Sequence, residues 1–91
     1  MPSFDWNRWN EDHVCHHGVD PQEAEQTLLD PRRVTRSAYN VGGERRWRTV
    51  GATEAGRILA VVYTRRGYMI RVVTARPADR VEKRQYRRRR R

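Results

Sequence analysis

The sequence lacks three features that would place a protein outside the cytoplasm or in a membrane. Cys15 is the single cysteine among 91 residues, so the chain cannot form an internal disulfide. No apolar run approaches the roughly 18 residues that a membrane-spanning helix needs. The N-terminus also has no basic start followed by an apolar core. These absences favour a protein of the reducing cytoplasm.

Lysine is nearly absent, and acidic residues are scarce in the later part of the chain. Arginine supplies 19 of the 20 basic residues, and the net charge is +9. Residues 1–30 carry seven acidic side chains and one basic one, whereas residues 31–91 carry 19 basic and four acidic ones. The alternative explanations are solubility and a GC-rich coding bias, and that bias accounts for arginine over lysine but not for this division. The division indicates a basic face that meets a polyanion such as a nucleic acid.

Runs rich in β-branched and aromatic residues predict four strands, at residues 34–39, 44–52, 58–63 and 68–75. The last two runs flank a polar turn that ends in Gly67, which is the pattern of an antiparallel hairpin. Four sequential strands with short turns make an antiparallel meander. Alternation along the second strand directs Trp47 to the core and leaves Arg46 and Arg48 together on the open face.

Two helices are predicted before the strands and one after them. The first covers residues 5–17, with Asp5 or Asn7 as its cap, and the second covers residues 20–30. The last runs from residue 78 to about residue 86. The sequence therefore predicts one α+β domain over residues 1–86: two N-terminal helices, a four-stranded antiparallel meander and a C-terminal helix. The five arginines of residues 87–91 repel one another and are expected to form a disordered basic tail.

Histidines cluster in the first predicted helix, but they do not predict a metal site. His13 and His17 have the spacing of zinc-protease histidines, but Val14 stands where the general base of that motif would be. A structural zinc site also needs four ligands, and no second cluster of Cys or His exists. Trp6, Trp9 and His13 recur on one helical face, so we expect His13 to pack beside the tryptophans. For His17 a structural cap and a functional role are equally compatible with its place.

The best candidate site is a set of arginines on the predicted strands: Arg46, Arg48, Arg71 and Arg76. Guanidinium groups can stabilise the charged transition state of phosphodiester cleavage in RNA without a metal. Proton transfer also requires an acid and a base. The available groups are Glu44, Glu82, Tyr86 and His17. Arg71 and Arg76 are five residues apart, so they share a face only if a bulge intervenes or Arg76 lies beyond the strand end. The alternative is that these arginines are solvated over apolar neighbours.

A series of short motifs runs in order through the chain: FDW (4–6), HGV (17–19), EA (23–24), DP (30–31), RW (46–47), VG (50–51), GRILAVVYT (56–64) and IRVVTAR (70–76), then Glu82 and Tyr86. The series resembles the BrnT-like toxins of bacterial type II toxin–antitoxin systems, which are similar in fold to RelE-type ribonucleases. Two positions depart from many relatives, since His16 stands in place of a lysine and His13 in place of an asparagine.

The resemblance implies a metal-independent endoribonuclease without a cofactor, which halts translation until a BrnA-like antitoxin binds it. Operator DNA is expected to be contacted only indirectly, through the antitoxin. The implied catalytic residues are His17, Arg46, Arg71, Arg76, Glu82 and Tyr86. The expected nucleic-acid contacts are Arg48, Arg65, Arg66, Arg87 and Arg88. Two alternatives remain open, a non-catalytic nucleic-acid-binding module and an inactive toxin homologue that binds an antitoxin.

Overall fold

The computed structural model describes residues 2–89, with the backbone alone at Arg89, and contains three helices and five strands in that range. The helices are α1 (Arg8–His16), α2 (Pro21–Leu29) and α3 (Arg80–Arg89). The strands are β1 (Ser3–Phe4), β2 (Val34–Val41), β3 (Glu44–Ala52), β4 (Ile58–Arg66) and β5 (Met69–Pro77). The predicted α+β class is confirmed. None of the described helices is long and apolar enough to cross a membrane.

The sheet is mixed, with the strand order β1-β5-β4-β3-β2. Strands β2 to β5 form the predicted antiparallel meander. Strand β1 pairs in parallel with β5, and Phe4 lies beside Ile70. The prediction of a sheet with four strands, all antiparallel, is therefore wrong, because a fifth strand is present and it pairs in parallel. Two residues are too few for an alternating pattern, so nothing in the sequence distinguishes β1 from a loop.

A bulge in β5 brings Arg71 and Arg76 to the same face of the sheet. Val62 of β4 pairs with Thr74, but the next residue, Tyr63, pairs with Val72, so Val73 is the extra residue. An extra residue reverses the alternation of side chains beyond it. The sequence predicted that Arg71 and Arg76 share a face only if the strand contains a bulge or ends before Arg76. The structure has the bulge.

The two faces of the sheet differ in what covers them. The covered face packs under α1 and α2 and carries most of the core, with Leu59, Val61, Val72 and Ala75 all fully or nearly fully buried. The opposite face, here called the arginine face, carries Arg46, Arg48, Arg71 and Arg76. Helix α3 covers one end of the arginine face, where a second small core joins Val50, Ala60, Ala78 and Tyr86. Trp47 packs against the core of the covered face, as predicted.

Helix α1 begins three residues later than predicted because Asn7 caps it. The Asn7 side chain accepts a hydrogen bond from the Asn10 amide, and the Asn10 side chain accepts one from the Asn7 amide. The buried side chains of α1 are Asn10 and Val14. The predicted packing face with Trp9 and His13 is therefore wrong, and both of these side chains are exposed.

The start of α2 agrees with the sequence prediction, and the end of α3 differs from it. Helix α2 has the predicted start, where Glu23 accepts a hydrogen bond from the Asp20 amide and Pro21 is the first helical residue. Helix α3 runs on to Arg89, so residues 87–89 are helical where the sequence predicted a disordered tail. The remainder of that predicted tail, residues 90–91, lies outside the described residues.

Candidate functional site

Arg46 and Arg71 lie at one level of the arginine face, on either side of β4. Both pair with Thr64, Arg46 from β3 and Arg71 from β5. Neighbouring strands are about 4.8 Å apart, so the two α carbons are separated by about 10 Å. Side chains as long as arginine can both reach one group bound between them.

The guanidinium of Arg71 is oriented by Asp5, at the end of β1. Its Nε and Nη2 atoms both donate to Asp5 Oδ2, at 3.0 and 2.7 Å. The Asp5 amide in turn donates to the Ile70 carbonyl at 2.8 Å, which continues the pairing of β1 with β5. From the sequence, Asp5 was predicted only as a possible helix cap. Its contact with Arg71 depends on β1, the strand for which the sequence has no signal.

Arg46 is held more loosely than Arg71. Its Nη2 lies 3.5 Å from Glu44 Oε1, and its guanidinium lies 5.7 Å from the centre of the Tyr39 ring. The other oxygen of Glu44 pairs with Arg66 at 3.3 Å. Arg46 Nε is buried and has no hydrogen-bond partner among residues 2–89. Buried donors normally have an acceptor, so Arg46 Nε is an exception among the described side chains.

A groove connects these arginines with helix α1. Its lining residues are Asn7, which caps α1, then Trp9, Asn10 and His13 on α1, Glu44, Arg46 and Arg66 on β3 and β4, and Arg71, Val72 and Val73 on β5. Asn10 fixes α1 beside the sheet because its Nδ2 donates to the Asp5 and Val72 carbonyls, at 2.9 and 3.1 Å. The groove thus places a histidine and a carboxylate around a cluster of guanidinium groups.

The other two arginines of the set share the carboxylate of Glu82, which is only 3% exposed. Arg76 donates to both Glu82 oxygens, at 2.7 and 2.9 Å, and Arg48 Nη1 lies 3.7 Å from Oε2. Burial raises the pKa of Glu82, but the hydrogen bonds from Arg76 and the Asp79 amide outweigh it, so the pKa lies below its ordinary value. Glu82 is therefore an ionised anchor for two guanidinium groups and a poor proton donor.

The hydroxyl of Tyr86 binds Asp30, the residue that ends α2. Its hydroxyl donates to Asp30 Oδ2 at 2.5 Å, and the same oxygen accepts from the Ala52 amide at 2.8 Å. Burial raises the pKa of Asp30, but these hydrogen bonds outweigh it and hold the pKa below its ordinary value. The Tyr86 ring belongs to the small core under α3. This contact joins the end of α2 to α3 across the edge of the sheet.

His17 caps the C-terminus of α1, and its ring contacts those of His13 and His16, with centroids 5.4 and 5.5 Å away. Of these three histidines, His13 lines the groove. His17 is not among the residues that line the groove, and its contact with the groove lining is the one between its ring and that of His13. From the sequence, His13 was predicted to pack beside the tryptophans, and the one signal for its place in the groove is its four-residue spacing from Trp9 along α1.

The predicted nucleic-acid contacts divide among different surfaces. Arg66 lines the groove, and Arg48 belongs to the Glu82 cluster. Arg65 lies on the covered face, where its guanidinium is 5.4 Å from the centre of the Trp47 ring. Arg87 and Arg88 are exposed on α3 and line a separate basic hollow with Arg80 and Arg84. The structure therefore places only part of this set beside Arg46 and Arg71.

The side chains of the described part of the chain include no group of three or more His, Cys, Asp and Glu positioned to hold a metal ion. Cys15 is a free, exposed cysteine. The charged groups available to a ligand of the groove are thus guanidinium groups and the carboxylate of Glu44.

The fold and the arginine face define a small basic α+β protein with a cationic groove suited to a phosphate-rich ligand. A family model for BrnT, the ribonuclease toxin of type II toxin–antitoxin systems, matches residues 6–82. The chain belongs to this BrnT toxin family, and the family implies an RNA target and a cognate antitoxin. A search of curated proteins gave no match.

Proposed function

We propose that this protein is a metal-independent endoribonuclease that cleaves RNA in the groove between α1 and the arginine face. The observation that supports this most directly is the placement of Arg46 and Arg71 at one level, on either side of Thr64. An RNA phosphate bound there is within reach of both guanidinium groups. Cleavage of RNA stops translation in the cytoplasm until the antitoxin binds.

The proposed reaction is an internal transfer of the phosphoryl group. The ribose 2′-oxygen bonds to phosphorus, the bond from phosphorus to the 5′-oxygen breaks, and the products carry a 2′,3′-cyclic phosphate and a free 5′-hydroxyl. The transition state carries extra negative charge on the phosphate oxygens. Fixed guanidinium donors stabilise that charge more than they stabilise the ground state, which lowers the barrier.

Proton transfer in this proposal falls to two groups that line the groove from different elements. Glu44 belongs to β3 and His13 to α1, and Arg71 of β5 lines the same groove. In-line attack needs a base at the 2′-oxygen and an acid at the 5′-oxygen on the other side of phosphorus. His17 contributes to the site in this proposal by packing its ring against that of His13.

Glu82 and Tyr86 support the site in this proposal without touching the reacting atoms. Glu82 positions the guanidinium groups of Arg76 and Arg48, which extend the cationic surface along the RNA backbone. Tyr86 secures α3 through Asp30, and α3 carries Glu82. Both residues are therefore positioning residues.

The antitoxin is proposed to be a BrnA-like protein that covers the arginine face. An acidic segment would neutralise the guanidinium groups and exclude RNA at the same time, because both ligands need the same surface. Contact with operator DNA is assigned to the antitoxin. The toxin domain is proposed to comprise residues 1–86.

The test is cleavage of RNA by purified protein in excess EDTA, with analysis of the product ends. The double variant R46A/R71A is compared with R45A, which removes an arginine of the same strand whose guanidinium lies over Trp47 on the covered face. Wild type and R45A are expected to give 2′,3′-cyclic phosphate ends, and the double variant to give none. Salt-sensitive RNA binding without cleavage by the wild type would contradict the proposal and favour a non-catalytic protein. Cleavage that is equal in all three proteins would place the site elsewhere.

A further inference from the structure

We propose that Trp9 is a base-stacking residue, which packs its indole ring on an unpaired nucleobase next to the phosphate held in the groove. The inference rests on the proposed function, since the ligand is the RNA that the groove cleaves. It adds a recognition element for single-stranded RNA that the arginine cluster alone does not supply.

The three tryptophans of the chain have different surroundings. Trp6 and Trp47 are partly buried and pack against the core of the covered face. Trp6 also donates from Nε1 to Glu25 Oε2 at 2.7 Å. Trp9 is 86% exposed, although it lies in a well-formed helix. Its exposure leaves the large apolar face of the indole ring free to contact a ligand.

The position of Trp9 fits a nucleobase because of its neighbours. Trp9 lies on the wall of the groove, one helical turn from His13, and Arg46, Arg66 and Arg71 line the same groove. Proteins that bind single-stranded nucleic acids combine cationic side chains for the backbone with aromatic rings for the bases. A duplex hides the faces of its bases, so an aromatic ring at this place selects an unpaired strand.

Tyr68 offers a matched control. It is also an aromatic residue and is 96% exposed, but it lies in the turn between β4 and β5 and is not among the residues that line the groove. Because both rings are exposed, removing either one takes little buried area from the folded protein. The variants W9A, W9F and Y68A are therefore all expected to fold, which a thermal unfolding curve verifies.

The experiment measures the dissociation constant of a 2′-O-methyl RNA oligonucleotide for each protein. This ligand lacks the attacking hydroxyl, so binding is read without cleavage. W9A is expected to bind about 5- to 100-fold more weakly than wild type, from the usual contribution of one stacked base. W9F is expected to fall between the two, and Y68A to stay within about twofold of wild type, since Tyr68 does not line the groove.

An abasic oligonucleotide of the same length separates stacking from other effects. Wild type and W9A are expected to bind it equally, because no base is left to stack. Equal affinity of wild type and W9A for the base-containing ligand would overturn the inference, and so would an equal loss on both ligands. Weakened antitoxin binding with unchanged RNA binding would assign Trp9 to the protein partner and would also overturn it. A wild-type protein that shows the Trp9 effect but does not cleave RNA would contradict the proposed function alone.

Discussion

The two ends of the arginine face use the same side chain in different settings. At the α3 end, Arg76 and Arg48 share the carboxylate of Glu82, whose side chain is only 4% exposed. At the groove end, Arg71 pairs with Asp5, whose side chain is 27% exposed. Arg46 and Arg66 share Glu44 through single contacts of 3.5 and 3.3 Å.

The difference lies in the carboxylates, because the arginine side chains at the α3 end are themselves more exposed (Arg76 42% and Arg48 41%) than Arg71 (31%) and Arg46 (20%) at the groove end. A buried carboxylate left without its partner is costly, so the fold depends on the contact between Arg76 and Glu82. A partly exposed carboxylate can regain water when its arginine turns to a phosphate. We therefore expect the groove end to govern activity and the α3 end to govern stability, and the following predictions test this division.

The largest effect is expected for R71A at the groove end. Loss of one fixed donor to a developing charge lowers kcat by about 100- to 1,000-fold. The temperature of unfolding should change little, because a partly exposed ion pair contributes less than about 1 kcal/mol. Steady-state RNA cleavage and thermal unfolding measure the two effects. The variant R45A is the control, and a large loss of stability in R71A with full activity would reverse the assignment of the two ends.

R76A at the α3 end is expected to have the opposite profile. The substitution removes both hydrogen bonds from Arg76 to Glu82, which should lower the free energy of unfolding by about 2 kcal/mol. The double variant R76A/E82Q should recover part of this loss, because it removes the unpaired charge as well. Urea unfolding measures both variants. If R76A alone were as stable as wild type, the contact between Arg76 and Glu82 at the α3 end would not stabilise the fold.

The pH dependence of stability follows from the same contact. The pKa of Glu82 is lowered in the folded state, so its contribution is present above the ordinary value of 4.5 and is lost as the pH falls through the folded pKa. The stability difference between wild type and E82Q should therefore be constant from about pH 6 to 8 and shrink below about pH 4.5. E54Q, at an exposed position in the turn after β3, is the control. A difference that grew on acidification would mean that the pKa of Glu82 is raised instead.

The sequence predicts the parts of this molecule that depend on local patterns. The strands of the meander and the start of α2 were predicted because alternation and helix-start signals act over a few positions. The unequal charge of residues 1–30 and 31–91 predicted a basic face because counting charges along the chain requires no knowledge of tertiary contacts. The contacts that orient the site are not local, since Arg71 is 66 residues from Asp5 and Tyr86 is 56 residues from Asp30. The bulge at Val73, which aligns Arg71 with Arg76, also depends on strand pairing that no run of residues reveals.

The smallest effect is expected for R66A, which removes the most exposed arginine of the groove end. The contact with Glu44 is solvent-accessible, so the free energy of unfolding should change by less than about 0.5 kcal/mol. RNA binding should weaken evenly across sequences. The slope of log affinity against log salt should become shallower by about 1, the amount expected when one phosphate contact is lost. R65A is the matched control, because Arg65 is the preceding residue but lies over Trp47 on the covered face. If R65A and R66A reduced the salt dependence equally, RNA would contact both faces of the hairpin, and the division of the sheet into a covered face and an arginine face would not describe how the protein binds RNA.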